Sequence, residues 1–114
     1  MAYETIEVKK KKTYLIVRVV RKRVFLDIAE KFKIELIPLI EKHNKNVIIN
    51  LEKVEIMNSS GLGVLILARD ILSAKDCKVT ICGVKTVMHE IFWRMRLDLL
   101  FKICESEEEA FKNI

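Results

Sequence analysis

The stretch from Val47 to Ala74, VIINLEKVEIMNSSGLGVLILARDILSA, decides how this chain folds. It opens with a short, mostly apolar run, as expected for a central strand that is covered on both faces. A short connection then leads to the polar elbow Asn58-Ser59-Ser60-Gly61, and an apolar helix runs on to Ala74. A helix N-terminus presents unpaired N–H groups and a partial positive charge. The elbow therefore places two hydroxyls where a phosphate would be stabilised.

The N-terminal segment predicts an antiparallel β-hairpin. Tyr3–Val8 alternates polar and apolar residues, and Tyr14–Val20 is dominated by β-branched residues. Both patterns are typical of strands. The run Lys9–Lys12 between them predicts a solvated turn, whose charges keep the sheet edge from pairing with other molecules.

A first helix is expected to begin at Asp27, with this residue as the N-cap and Glu30 reaching back from the third position. Apolar residues then recur at helical spacing as far as His43. Pro38 falls inside this pattern, and an interior proline costs a helix about 3 kcal/mol. We therefore expect a kink near Glu35 or a helix in two pieces.

The remaining elements follow the elbow in alternation. A strand ends at Gly83, an amphipathic helix follows, a short strand is expected at Leu99–Ile103, and Ser106 is the predicted N-cap of a terminal helix. Alternating strands and helices indicate a partly parallel sheet. The predicted fold is an α/β domain over residues 1–114, with a mixed, mostly parallel sheet of four to five strands, an N-terminal antiparallel hairpin and about four helices.

Bulk properties narrow the class of protein. The chain has 114 residues, a net charge of +5 and three cysteines without a C-x-x-C pair, so we expect neither a zinc site nor a disulfide framework. Cys82 and Cys104 are expected to be buried thiols. The apolar runs are too short to span a membrane. We expect a cytoplasmic protein with no cofactor and no direct contact with nucleic acid or membrane, whose basic runs can steer an acidic partner.

Catalysis has little support in the sequence. The elbow lacks the G-x-S-x-G arrangement of a hydrolase, and His43 and His89 have no evident orienting acid. Gly61-Leu62-Gly63 is neither a P-loop nor a dinucleotide fingerprint. We therefore do not expect an enzyme.

A docking patch is predicted beside the elbow. Helical spacing places Leu62 and Ile66 on the outer face of the helix together with Arg69, next to the Ser59 hydroxyl. Two alternatives stay open: a neighbouring helix covers these apolar residues, or Ser59 or Ser60 only caps the helix, with Ser60 the better candidate for the cap.

Several segments together resemble the STAS domain of bacterial anti-sigma factor antagonists. The likeness rests on Asn50-Leu51, the elbow with Leu62-Gly63-Val64, the strand before Gly83, Leu97–Phe101 and Glu108–Phe111. Two departures are visible. Asn58 stands where the family has an aspartate, and the basic run Arg21-Lys22-Arg23 replaces an acidic loop.

The resemblance implies a switch between partners. The unphosphorylated antagonist would bind an anti-sigma factor, often a serine kinase, and so free a sigma factor. Phosphorylation of Ser59, with Ser60 as the fallback, would end that binding, and a phosphatase would restore it. The residues assigned to partner binding are Asn58, Ser59, Ser60, Gly61, Leu62, Ile66, Arg69, Arg23 and Asp27.

Two other functions stay open at this stage. One is a STAS binding module that is not phosphorylated, with Asn58 marking loss of the switch. The other is an anion- or lipid-binding STAS protein that uses the Arg21–Arg23 patch and the helix start. The sequence does not reveal the oligomeric state.

Overall fold

The computed structural model describes residues 2–114 as alternating strands and helices. The strands are β1 (Ile6–Lys10), β2 (Tyr14–Val19), β3 (Arg23–Val24), β4 (Asn46–Asn50), β5 (Ile56–Met57), β6 (Val79–Cys82) and β7 (Lys102–Cys104). The helices are α1 (Leu26–His43), α2 (Ser59–Ser73), α3 (Thr86–Arg94) and α4 (Glu107–Lys112), with a 3-10 turn at Leu97–Leu99. Within these residues, no helix is long and apolar enough to cross a membrane.

The main sheet has five strands in the order β1-β2-β4-β6-β7. Strand β1 pairs antiparallel with β2, and the other pairs are parallel. The predicted fold class is thus confirmed, including the hairpin and a central position for β4. A separate parallel ribbon of β3 and β5 was not predicted, because two-residue strands carry no periodic signal.

Side chains of the central strands alternate between two apolar layers, as the pleat requires. Val47 and Ile49 point into the main core, which also holds Phe32 of α1, Leu65 of α2 and Phe92 of α3. A smaller layer on the other face contains Ile16, Ile48, Cys82, Cys104 and Ala110 of α4. The prediction that Cys82 and Cys104 are buried is confirmed, and burial raises the pKa of the Cys82 thiol to about 12.

The hairpin turn is tighter than predicted. Lys9 and Lys10 belong to β1, where Lys10 lies opposite Leu15 of β2. The turn proper begins at Lys11, whose amide donates to the carbonyl of Tyr14 at 2.9 Å. Since β1 is an edge strand, its lysines stay exposed while the backbone pairs with β2.

Helix α1 differs from the prediction at its start and in its middle. Its N-cap is Phe25, not Asp27, because the Phe25 carbonyl accepts from the amides of Ile28 (2.9 Å) and Ala29 (3.2 Å). Asp27 lies in the first turn, where its charge suits the helix dipole. The helix is continuous through Pro38. Pro38 lacks the N–H that would bond to the Ile34 carbonyl, and both residues lie on the exposed side of α1.

The last strand also begins later than predicted. A 3-10 turn takes up Leu97–Leu99, and β7 covers Lys102–Cys104 instead of Leu99–Ile103. The apolar character of Leu97 and Phe101 comes from packing in the main core, because both residues are buried outside any strand.

A polar clamp holds α4 against the sheet. The Ser106 hydroxyl accepts from the amide of Glu109 at 3.1 Å, which confirms Ser106 as the N-cap. Arg18 of β2 donates twice to the Glu107 carboxylate, at 2.7 and 2.8 Å, and the Asn50 amide donates to it at 2.7 Å. Three donors from two strands thus satisfy one carboxylate of α4.

Candidate functional site

The β3–β5 ribbon brings the starts of the two longest helices together. Arg23 lies opposite Ile56, and Val24 lies opposite Met57. Helix α1 follows β3 and helix α2 follows β5, so the parallel pairing places both helix starts at the same end of the molecule. The elbow is therefore built from two parts of the chain.

Gly61 allows α2 to approach this ribbon closely. A Cβ at this position would lie 2.9 Å from the carbonyl oxygen of Val24, and 3.2 Å from the Cβ of Met57. Val24 and Met57 are both held by strand pairing, so neither can move aside without a cost in stability. Gly61 is buried and acts as a packing residue beneath the elbow, not as an exposed contact.

Asn58 is the N-cap of α2. Its Oδ1 accepts from the amide of Ser60 at 3.0 Å and from that of Gly61 at 3.4 Å. The expectation that Ser60 caps the helix is therefore wrong. Asn58 has the extended backbone and the acceptor that a cap needs, and the two serines become the first residues of the helix.

Ser59 and Ser60 are both exposed. Within the described residues, neither hydroxyl makes a hydrogen bond, because the capping acceptor comes from Asn58. A phosphate on Ser59 would lie in the first turn of a 15-residue helix, where the helix dipole favours negative charge. The hydroxyl of Ser59 can therefore be modified without breaking a contact of the fold.

Leu62 does not lie on the outer face of α2 as predicted. Its side chain is 2% exposed and belongs to the main core. Arg69, seven residues on and thus on the same side of the helix, donates to the carbonyl of Leu100 at 3.1 Å. The chain after α3 therefore reaches this side of the helix at Arg69, and Leu62 itself is buried while Ile66 is only half-buried.

The solvent side of α2 carries a different set of residues. Ser59, Gly63 and Ile66 lie four and seven residues apart and share one face. Ile66 is half-buried, and apart from the adjoining residues and backbone of α2 no atom lies within 4 Å of the position that a Cβ of Gly63 would take. This face is open next to Ser59, as a partner that approaches the helix backbone would require.

Leu26 is a residue that the sequence reasoning missed. It is 73% exposed, and its φ of 41° lies in the left-handed region that a leucine rarely adopts. It lines a groove between α1 and α2 together with Glu30, Lys33, Ser60 and Leu67. An exposed apolar residue in a strained conformation thus lies in the same groove as Ser60, which makes the groove a candidate contact surface. We call Leu26, Ser59, Ser60, Gly63 and Ile66 the elbow surface.

The other predicted contact residues divide into two groups. Arg23 and Asp27 are exposed near the start of α1, at the same end of the molecule as Ser59. Arg69 lies ten residues along α2 from Ser59, about 15 Å at 1.5 Å per residue. It pairs with Asp70 at 3.2 Å, and the structure places it away from the elbow.

The basic run that departs from the family pattern is part of the framework. The Lys22 carbonyl accepts from the amides of Glu55 (2.8 Å) and Ile56 (3.2 Å), and Arg21 donates to the carbonyl of Glu4 at 3.0 Å. These bonds anchor the ribbon below the elbow. Among residues 2–114, no group of three or more His, Cys, Asp or Glu side chains is placed to hold a metal ion.

A comparison with family models matches residues 5–110 to the STAS domain. The match spans most of the chain, and this protein belongs to the STAS domain family.

Solved structures share the fold at low sequence identity. An anti-sigma-factor antagonist (STAS) domain protein from Planctomyces limnophilus has a TM-score of 0.85 at 18% identity, covering 92% of this chain and 93% of that one. The anti-sigma factor antagonist SpoIIAA in its unphosphorylated form has a TM-score of 0.73 at 15% identity, covering 95% and 94%. The phosphorylated form of SpoIIAA from Bacillus has a TM-score of 0.72 at 18% identity, covering 95% and 97%. The chain thus resembles both forms equally well.

Proposed function

We infer that this protein is an anti-sigma factor antagonist. In this proposal the unphosphorylated chain binds an anti-sigma factor, itself a serine kinase, and so frees a sigma factor in the bacterial cytoplasm. Phosphorylation of Ser59 ends the binding, and a phosphatase restores it. The observation that carries the proposal is the Ser59 hydroxyl, which is exposed at the start of α2 and not engaged in capping.

The switch acts through charge at the elbow surface. A phosphate adds about −1.5 to −2 charges and three strong acceptor oxygens. The helix dipole stabilises this charge within the protein, so α2 keeps its place. A partner packed on Leu26 and Ile66 would have to desolvate the phosphate without a matching cation, which weakens the complex.

Charged side chains of both signs lie near Ser59. Asp27 and Glu30 lie in the first turns of α1, and Glu30 borders the groove that Ser60 also lines. Arg23 is exposed at the same end and Lys33 lines the same groove, so these four side chains carry no net charge. A phosphate on Ser59 would make this end net negative, which changes the field that a docked partner meets.

A STAS binding module without phosphorylation is the second candidate, and Asn58 favours it. Asparagine caps α2 through Oδ1 but brings no fixed charge next to the hydroxyl. If a kinase needs an acidic residue before its target serine, Asn58 would prevent modification while leaving the docking surface intact. The two functions differ in whether phosphate is ever found on Ser59.

The test is phosphate mapping on the intact chain. Each serine-kinase anti-sigma factor of the source bacterium is incubated with the protein and ATP, and modified residues are mapped by mass spectrometry. We expect phosphate on Ser59 in the wild type, none in Ser59→Ala and unchanged labelling in the matched control Ser60→Ala. Phosphate found only on Ser60 would show that Ser60, and not Ser59, is the phosphorylated residue. If no kinase phosphorylates the protein, the binding module without phosphorylation is favoured.

A further inference from the structure

A second groove lies far from the elbow surface, between the C-terminal half of α1 and the N-terminal segment. Its volume is about 450 Å³, within the range of about 300–1,000 Å³ that is usual for small-molecule sites. It reaches His43, the last residue of α1, which lies about 25 Å along the helix axis from Leu26. The two grooves share no lining residue, so a ligand here would not touch the elbow surface.

One end of this groove is apolar apart from Glu35, whose carboxylate is taken up by hydrogen bonds from the N-terminal segment. Ile34, Pro38 and Leu39 of α1 line it from one side and Tyr3 lines it from the other. Ile34 is 62% exposed and Tyr3 is 40% exposed, so the groove leaves apolar surface in contact with water. An apolar chain laid along it would remove that surface from water, which is favourable.

The wall that carries Tyr3 is held in place by Glu35. Its carboxylate accepts from the amides of Glu4 at 2.8 Å and Thr5 at 2.9 Å, and from the Thr5 hydroxyl. Burial opposes ionisation of Glu35, but these hydrogen bonds outweigh it and hold the pKa of the carboxyl below its usual value. The groove is therefore formed before any ligand binds.

The other end of the groove is cationic. Lys10 and Lys42 line it together with His43. The buried Nε2 atom of His43 has no hydrogen-bond partner among residues 2–114. Burial lowers the pKa of His43, and the positive charges of the neighbouring lysines lower it further. The ammonium groups of Lys10 and Lys42 give this end a positive charge, which favours an anionic head group.

We propose that this groove binds an amphipathic carboxylate of the fatty-acid type. The alkyl chain lies along Tyr3, Ile34 and Pro38, and the carboxylate lies between Lys10 and Lys42 beside His43. Ile34 and His43 are nine residues apart on α1, so the track is about 13 Å long. A medium-chain acid matches this length and both ends of the groove.

Calorimetric titration of the whole chain tests the chemistry of the ligand. Decanoate, kept below its micelle concentration, should bind saturably with one molecule per chain. Each buried methylene should contribute about fourfold in affinity, so octanoate should bind at least tenfold more weakly, and acetate should not bind. Decanol, which keeps the chain but lacks the charge, should also bind at least tenfold more weakly.

Variants locate the site. Ile34→Asp and Lys42→Glu change exposed residues and should leave the circular dichroism spectrum unchanged, while each weakens decanoate binding at least tenfold. Lys12→Glu, the same charge change in the β1–β2 turn outside the groove, is the control and should bind as the wild type does. Equal decanoate affinity in all four proteins would overturn the proposal. So would the absence of decanoate binding by the wild type, whether or not it binds anionic phospholipid vesicles.

Discussion

The Oδ1 atom of Asn58 accepts a hydrogen bond from the backbone amide of Ser60 at 3.0 Å. This bond fixes the N-terminus of α2 through a side chain that is not itself a site of phosphorylation. It leaves the hydroxyls of Ser59 and Ser60 outside the capping arrangement. The cap and the proposed switch are thus neighbouring residues with separate roles.

Removing the cap should destabilise the protein without touching the switch. Asn58→Ala should lower the free energy of unfolding by about 1 kcal/mol, since the amides of Ser60 and Gly61 lose their acceptor. Asn58→Asp keeps the acceptor and adds a negative charge at the helix start, so its stability should equal or exceed that of the wild type. Urea denaturation measures all three proteins. An Asn58→Ala variant as stable as the wild type would contradict the capping role.

The two glycines of the elbow helix should respond in opposite directions to the same change. Gly61→Ala would force a Cβ to within 2.9 Å of the Val24 carbonyl oxygen and should cost about 1–3 kcal/mol. Gly63→Ala meets no atom within 4 Å and should stabilise the helix by about 0.5–1 kcal/mol. Thermal unfolding of the pair is the measurement. A similar melting temperature for both variants would show that α2 does not approach the ribbon as described.

The hydrogen bonds from Arg18 and Asn50 to Glu107 predict that the free energy of unfolding depends on pH. The hydrogen bonds from Arg18 are the main cause that lowers the pKa of Glu107 below its ordinary value of 4.5. Because the carboxyl titrates at lower pH in the folded chain, its contribution is complete above about pH 4.5. It is lost as the pH falls through the lowered pKa. At neutral pH, Glu107→Gln should cost about 1–3 kcal/mol.

The control for this prediction is Glu108→Gln, which removes the same charge from an exposed neighbour. It should change stability little at any pH. The wild type and Glu107→Gln should converge in urea midpoint as the pH falls below about 4.5 and the Glu107 carboxylate is protonated. A difference between them that stays constant over this range would show that the ionised carboxylate is not what stabilises α4.

Much of the fold was predictable because periodic patterns determine it. The apolar run of β4 and the helical spacing of α2 require a strand and a helix whichever segments cover them. The cap was harder to assign, since asparagine and serine are both good N-caps and stand side by side at the elbow. Only the backbone geometry selects Asn58.

The docking surface was predicted less well, because exposure depends on distant segments. Leu62 has the spacing of an outward residue, yet its side chain is 2% exposed and belongs to the main core. Leu26 precedes the predicted helix start and adopts a positive φ that a leucine normally avoids. No local sequence pattern predicts the burial of Leu62 or the positive φ of Leu26.

The most direct test of the account compares two forms of one protein. The anti-sigma factor that phosphorylates the chain is titrated with unphosphorylated protein and with enzymatically phosphorylated protein, with circular dichroism to confirm that both are folded. We predict that the phosphorylated form binds at least tenfold more weakly, about 1.4 kcal/mol or more, while its fold is unchanged. Equal affinity for the two forms would contradict a switch at Ser59.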